Sequence, residues 1–210
     1  MQVINEEVKW DKTQTIVSKT DIHGTILYAN TAFTQACEYN TIELIGEPHN
    51  IIRHPDMPKV AFKALWDALK KGKNYHAIVK NLTKNGRYYW VITDFTIDKD
   101  DAGKIIGYTG RRKAVPNSVV EKIEPLYKTL LEIEKLKGEK VSELYFEGFL
   151  KEEVGKSYDE FVVSLFKEES LKNAKKKQLA TSPQVETVIA IEQESKIKKG
   201  LNWFFFGDFL

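Results

Sequence analysis

The order of periodic segments in this 210-residue chain predicts an α+β fold: one five-stranded antiparallel sheet with helices grouped on one face, then an α-helical C-terminal extension. Two short β-branched runs flank an Asp/Gly turn near the N-terminus. Three longer strand-like runs come later, hinged at Asn-Gly and Asp-Asp-Ala-Gly turns. Between the two groups lie short helical segments and a proline-rich connection, an order that suits a sheet with its helices on a single side.

Thr15-Ile16-Val17-Ser18-Lys19-Thr20 and Thr25-Ile26-Leu27-Tyr28-Ala29 read as strands of a hairpin turning at Asp21-Ile22-His23-Gly24. Asn30 can cap the next helix, with Phe33 and Ala36 on one face. Thr41 to Ile45 forms a helical turn closed by Gly46. The connection bounded by Pro48 and Pro58 cannot continue a helix. Residues 59–71 carry Val60, Phe62, Ala64, Leu65, Ala68 and Leu69 at helical spacing and end before Gly72. Strands are expected over 75–83, 87–97 and 104–111.

Past Pro116 the pattern turns helical. Residues 117–137 show a helical stripe interrupted by Pro125, and 141–166 read as one further helical stretch. Lys172 to Lys177 is basic, Thr181-Ser182-Pro183 reads as a linker, 185–197 as a short helix, and 201–210 is unusually aromatic. The expected organisation is an N-terminal cap segment (1–12), an α+β domain (13–116), a helical region (117–170) and a basic linker with an aromatic tail (171–210).

Thirty-two basic against 30 acidic residues, a net charge of +2, argue against a nucleic-acid binder. A single cysteine, Cys37, excludes a disulfide framework or a CxxC zinc site within one chain and fits a reducing cytoplasm. No signal peptide and no run of about 18 apolar residues is apparent, so a cytoplasmic location is expected. No nucleophile–base pair, paired-acid motif or phosphate-binding glycine loop stands out, and a non-enzyme is expected.

The densest chemistry lies in Gly46-Glu47-Pro48-His49-Asn50-Ile51-Ile52-Arg53-His54-Pro55-Asp56-Met57-Pro58. One reading is a rigid loop whose charges pair with one another. The other is a ligand loop, in which the planar donor fork of Arg53 suits phosphate oxygens and the prolines hold it in place. This run, with Asp21-Ile22-His23-Gly24 before it, Asn81-Leu82-Thr83-Lys84-Asn85-Gly86 after it, and Ile123-Glu124-Pro125-Leu126-Tyr127-Lys128 further on, resembles PAS domains of the aerotaxis-receptor type. The resemblance implies the PAS fold and noncovalent FAD, with Arg53, His54 and Asp56 needed to hold it. Asn81 matches an asparagine near the flavin ring in a related flavin sensor of nitrogen fixation. Tyr75 stands where the family usually has a tryptophan packed near the isoalloxazine.

The resemblance further implies a redox or energy-taxis sensor that signals to a membrane chemoreceptor or other signalling protein. This chain would be the sensor half of a bipartite system or the sensor portion of a longer receptor, with PAS-mediated homodimerisation a further expectation. Other readings stay open: a cofactor-free adaptor, or a haem sensor using His49, His54 or His76. The Cys37 context does not match the motif of photochemical LOV domains. Trp66, Trp90, Phe33 and Phe95 read as core rather than cofactor contacts, and His49 and His76 as structural or surface residues. Alternation along 88–95 lets only one set face a pocket: Tyr88, Trp90, Ile92 and Asp94, or Tyr89, Val91, Thr93 and Phe95. The tail 201–210 is open to membrane-surface contact at the inner face of the membrane, to partner docking, or to folding back on its own domain.

Overall fold

Asn30 shows how the sequence sets the first corner. Its side-chain oxygen accepts from Phe33 N and Val17 N, both at 3.0 Å, while its amide donates to Thr15 O at 2.9 Å. One residue therefore caps helix α1 (Thr31–Cys37) and pins it to strand β1 (Ile16–Asp21). The β1 turn closes on Asp21, whose carboxylate accepts from His23 N and Thr25 N. Gly24 there has φ +88°, and a Cβ would sit 3.3 Å from the Trp66 ring.

The computed structural model describes residues 2–180, with side chains described through residue 175. The linker, short helix and aromatic tail expected beyond residue 180 lie outside the described residues. After β2 (Ile26–Ala29) and α1 come α2 (Thr41–Leu44), a 3-10 turn (His49–Ile52) and α3 (Lys59–Lys70). Strands β3 (Tyr75–Leu82), β4 (Tyr88–Lys99) and β5 (Ile105–Ala114) complete an antiparallel sheet of order β2-β1-β5-β4-β3. The expected five strands and helix over 59–71 are all present, with ends shifted by a few residues.

Two expectations about the extension differ. Helix α4 (Asn117–Lys137) runs through Pro125 unbroken. The carbonyl that proline deprives of a partner is that of Glu121, which is exposed, so water can take its place. The stretch 141–166 is not one helix. Helix α5 (Glu139–Gly148) passes into a π turn (Phe149–Val154), Gly155 takes φ +66°, and α6 (Tyr158–Ala180) starts afresh. Ser157 and Glu160 form the capping box that starts it: Ser157 N donates to Glu160 Oε2 at 2.9 Å, and Glu160 N to Ser157 Oγ.

The chain divides into two compact units, residues 1–165 and a second beginning at Phe166, whose described part is helical through Ala180. The first unit has its core between the sheet and α1–α3, built on Phe33, Leu44, Ile52, Leu65 and Leu69. Among the described residues, no helix is long and apolar enough to cross a membrane.

Strand β3 ends the sheet, yet nearly every residue in it is buried. Its outward backbone groups are sealed by other elements. His76 N donates to Asp159 Oδ1 at 2.5 Å, Ile78 O accepts from the Tyr127 hydroxyl at 2.6 Å, and Lys80 N meets Met57 Sδ at 3.2 Å. Covering an edge in this way removes a template for unwanted strand pairing. It also seats the helical extension on the domain. Glu134 of α4 caps α3 by accepting from Val60 N at 3.0 Å, and Lys63 pairs with Glu143 of α5 at 2.7 Å.

Candidate functional site

A cavity of about 320 Å³ lies between the sheet and the α1–α3 side. Its sheet wall is built from alternate residues: Ser18 and Thr20, Val79 and Asn81, Thr93 and Phe95, Tyr108 and Arg112. The set Tyr89, Val91, Thr93, Phe95 thus takes the cavity face of β4. Trp90, of the other set, stacks on Tyr127 with ring centroids 6.2 Å apart. The opposite wall comes from His49 and Arg53 around the 3-10 turn and from Phe62, Leu65, Trp66 and Leu69 of α3.

Arg112 gives the cavity its charge. It is 3% exposed, and among the described residues no carboxylate pairs with it. Its Nη1 donates to Ser18 Oγ at 2.9 Å and to Gly110 O, and its Nη2 bonds His49 Nε2 at 2.9 Å. Gly110 makes the fold-back possible, since a Cβ there would lie 2.7 Å from Nη2. The guanidinium also lies over the Phe33 ring at 5.6 Å and near Phe95 at 6.0 Å. Burial lowers its pKa to about 10, so it stays cationic at neutral pH.

An arginine can only donate, so His49 Nε2 must accept. Ser18 Oγ lies 3.0 Å from that nitrogen. The arrangement is neutral His49 carrying its proton on Nδ1, with Ser18 accepting from Arg112 and the single Nε2 lone pair of His49 shared between Arg112 and the Ser18 hydroxyl. Burial, then the neighbouring Arg112 charge, lowers the His49 pKa to about 3. Its ring stacks on Phe33 at 5.7 Å.

Two buried groups on the cavity wall have no hydrogen-bond partner among the described residues: Asn81 Nδ2 and Thr93 Oγ1. The Asn81 amide lies beside the buried Tyr89 hydroxyl, but outside hydrogen-bond geometry. Buried polar groups are ordinarily paired, so unpaired ones on a cavity wall suit a ligand with hydrogen-bonding edges. With the apolar faces of Trp66, Phe62, Leu65 and Phe95, the lining fits a flat heterocycle with a polar rim such as a flavin ring.

The residues expected from the sequence to hold FAD divide. Arg53 and Asn81 line the cavity, and their backbones form an antiparallel bridge that puts both on the same side. Arg53 also lies over the Phe62 ring at 4.2 Å. His54, Asp56 and Tyr75 are not among the lining residues. His54 is buried, accepts from Asp56 N through Nδ1 at 3.0 Å, and sits edge-on to Tyr88. Burial, then the Lys80 charge, lowers its pKa to about 4. Asp56 pairs with Lys80 at 2.8 Å. Tyr75 stacks on Tyr158 of α6 at 6.0 Å, and burial pushes its hydroxyl pKa up.

Trp66 and Phe95, read from the sequence as core, line the cavity, and so does His49, read as structural or surface. Phe33 and Trp90 are not lining residues. The Arg112–Ser18 network went unread in the sequence, although the Gly110-x-Arg112 spacing on a strand was its signal. Of the three histidines open to a haem reading, only His49 lines the cavity, and its Nε2 is already engaged. Cys37 donates to Thr34 O from inside α1 and does not reach the cavity.

Residues 26–112 match the family described as the PAS fold. A solved light-oxygen-voltage domain, studied with a flavin analogue, superposes with a TM-score of 0.50 at 18% identity, covering 56% of this chain and 89% of that one. The chain therefore carries a PAS domain.

In sequence that domain is similar to part of an aerotaxis receptor. The chain is 45% identical over 116 residues to the aerotaxis receptor of Escherichia coli (strain K12), covering 55% of this chain and 23% of the relative. It is 22% identical over 105 residues to a nitrogen fixation regulatory protein of Klebsiella oxytoca, covering 50% of this chain and 21% of the relative. The chain thus spans less than a quarter of the length of these two relatives.

Proposed function

We propose that the PAS domain holds FAD in the cavity between the sheet and α3, and that the chain is a redox sensor of the energy-taxis kind. The observation that carries this reading is the pair of unpartnered buried groups, Asn81 Nδ2 and Thr93 Oγ1, beside a buried, carboxylate-free Arg112 on one cavity wall. Likeness to an aerotaxis receptor and to a light-oxygen-voltage domain studied with a flavin analogue supports the cofactor class.

Bound flavin would supply reversible electron uptake, with its accompanying change of charge and protonation. The chain's own residues divide the remaining work. Asn81 and Thr93 offer a donor and a hydroxyl to the ring's polar edge. Trp66, Phe62 and Phe95 line the cavity with apolar surface that would exclude water from a bound ring. Arg112 presents fixed positive charge, braced by Ser18 and His49, where negative charge would appear on reduction. Arg53 presents a donor fork for phosphate oxygens. A change of interaction with these groups between redox states is what can bias a conformational equilibrium. The route outward runs through β3, whose edge holds α4 and α6, to a signalling partner such as a membrane chemoreceptor.

The test is the visible spectrum of the purified chain, with chromatography of the ligand freed by heat. Oxidised-flavin bands and released FAD are expected. A colourless protein that takes up no FAD on incubation sinks the proposal and leaves the cofactor-free adaptor.

A further inference from the structure

Lys80 is a buried cation shared by three elements. It is 5% exposed, and its Nζ lies over two aromatic rings, 4.7 Å from the Tyr88 centroid and 5.7 Å from that of Trp90. Nζ bonds Asp56 Oδ2 at 2.8 Å and lies 3.7 Å from Glu124 Oε1 of α4. Its backbone N contacts Met57 Sδ. The next residue, Asn81, faces the cavity and bridges the backbone of Arg53. One dipeptide therefore grips the 53–57 loop twice, from opposite faces of β3.

We propose that Lys80 is a positioning residue: its ammonium ties the loop that presents Arg53 to the cavity onto the Glu124 turn of α4, so that displacement of either is felt by the other. Lysine is rarely this buried without fixed partners, and here both anions come from elements other than its own strand. Asp56 and Glu124 are each more than half exposed. Neither carboxylate needs the pairing for its own solvation, whereas the ammonium needs both. Three residues beyond Glu124, Tyr127 bonds Ile78 O, so α4 meets β3 at the cation and again two residues before it. His54 fits the same role from inside the loop. Its Nδ1 accepts from Asp56 N and lies 3.5 Å from Asp56 Oδ2, which fixes the carboxylate that Lys80 holds. Neither His54 nor Asp56 lines the cavity, yet the pair sets the loop on which Arg53 stands.

The clamp itself is read from the geometry alone; only its effect on cofactor affinity rests on the flavin proposal. The test therefore has two readouts. Lys80→Met keeps an unbranched apolar stem and removes the ammonium. Glu124→Gln removes the distal anion without touching the loop. In FAD-free protein, amide hydrogen exchange should quicken in both the loop and the first turns of α4, about tenfold for Lys80→Met, which removes a buried ammonium, and severalfold for Glu124→Gln, whose carboxylate is more than half exposed. Glu124→Gln made in the Lys80→Met background should add nothing further. Lys80→Arg should restore slow exchange, and Lys151→Met, which removes an exposed pair in the π turn, should leave both segments unchanged.

FAD affinity should fall about tenfold with Lys80→Met and severalfold with Glu124→Gln, although neither residue lines the cavity. Loop exchange unaltered by Glu124→Gln, or additive effects of the two changes, would overturn the proposal. Should Lys80→Met fail to fold, Glu124→Gln and Asp56→Asn carry the same exchange test from half-exposed positions. If the wild-type chain takes up no FAD while the exchange cross-talk is present, the flavin reading fails and the clamp stands.

Discussion

The hydroxyl of Tyr127 donates a 2.6 Å hydrogen bond to the carbonyl of Ile78 and lies in contact with the hydroxyl of Tyr158. That bond joins α4 to the edge strand of the sheet. All three groups are buried in unit 1, so no water can replace a missing partner.

Tyr127→Phe should therefore cost more than a typical hydrogen bond. It leaves the Ile78 carbonyl unpaired on that side and breaks the link to Tyr158. The expected loss is about 1–3 kcal/mol, read from urea unfolding midpoints at unchanged slope. Native-state exchange should show the α4–β3 contact opening first. A loss below a few tenths of a kcal/mol would mean that packing alone holds α4.

Thr93 separates a ligand site from a packing defect. Its hydroxyl is buried and unpaired, so Thr93→Val should be neutral or stabilise the FAD-free chain by up to about 1 kcal/mol. The same change should weaken FAD binding by about 3- to 10-fold, the worth of one hydrogen bond. Thermal melts and flavin titration give the two numbers. Valine that leaves FAD affinity untouched would remove Thr93 from the site.

Five strands and three PAS helices were legible because hydrophobic alternation, Asx turns and Asn-Gly hinges are local. The loop motif pointed to Arg53 because a donor fork suggests phosphate wherever it sits. Positions dependent on tertiary contact were not legible. Trp66 and Phe95 look alike as core or cavity wall until α3 is placed over β4. Arg112 reads as a surface arginine until Gly110 gives it room to fold back. Tyr75 stacks on Tyr158 at the start of α6, a contact no local pattern reveals. The break between α5 and α6 was encoded locally, in Gly155 and in the Ser157/Glu160 capping box, and there the apolar periodicity on both sides masked the signal.

Burial of two histidines predicts an acid-sensitive fold. His49 and His54 have pKa values lowered to about 3 and about 4, against an ordinary value of 6.5. The unfolded chain therefore binds more protons than the native one between those limits, and stability rises with pH across that window. The contribution is complete above pH 6.5 and is lost progressively as pH falls toward the folded values. At pH 5, His49 alone should account for about 2 kcal/mol of that loss. His49→Gln should flatten the dependence of urea midpoints between pH 7.5 and 5, even if it lowers stability at both. An unchanged slope would show that His49 titrates normally and that its bond to Arg112 does not hold in solution.

Arg112 sets the last prediction, which concerns potential rather than affinity. Reduction of a flavin beside it adds negative charge near a buried guanidinium that has no carboxylate partner, so the reduced form gains more from Arg112 than the oxidised form does. Arg112→Gln keeps a donor to Ser18 and removes the charge. The two-electron potential should fall by about 30–60 mV, equivalent to about 1.4–2.8 kcal/mol of differential stabilisation. Binding of oxidised FAD should weaken less than binding of the reduced form, because the charge acts mainly on the latter. Arg111→Gln is the control, since Arg111 is exposed and bonds Thr96 rather than the cavity network. A potential that moves equally in both variants would assign the effect to long-range charge. An unchanged potential on Arg112→Gln would mean that the guanidinium faces the phosphate end of the cofactor, whose charge is the same in both redox states, and not the ring.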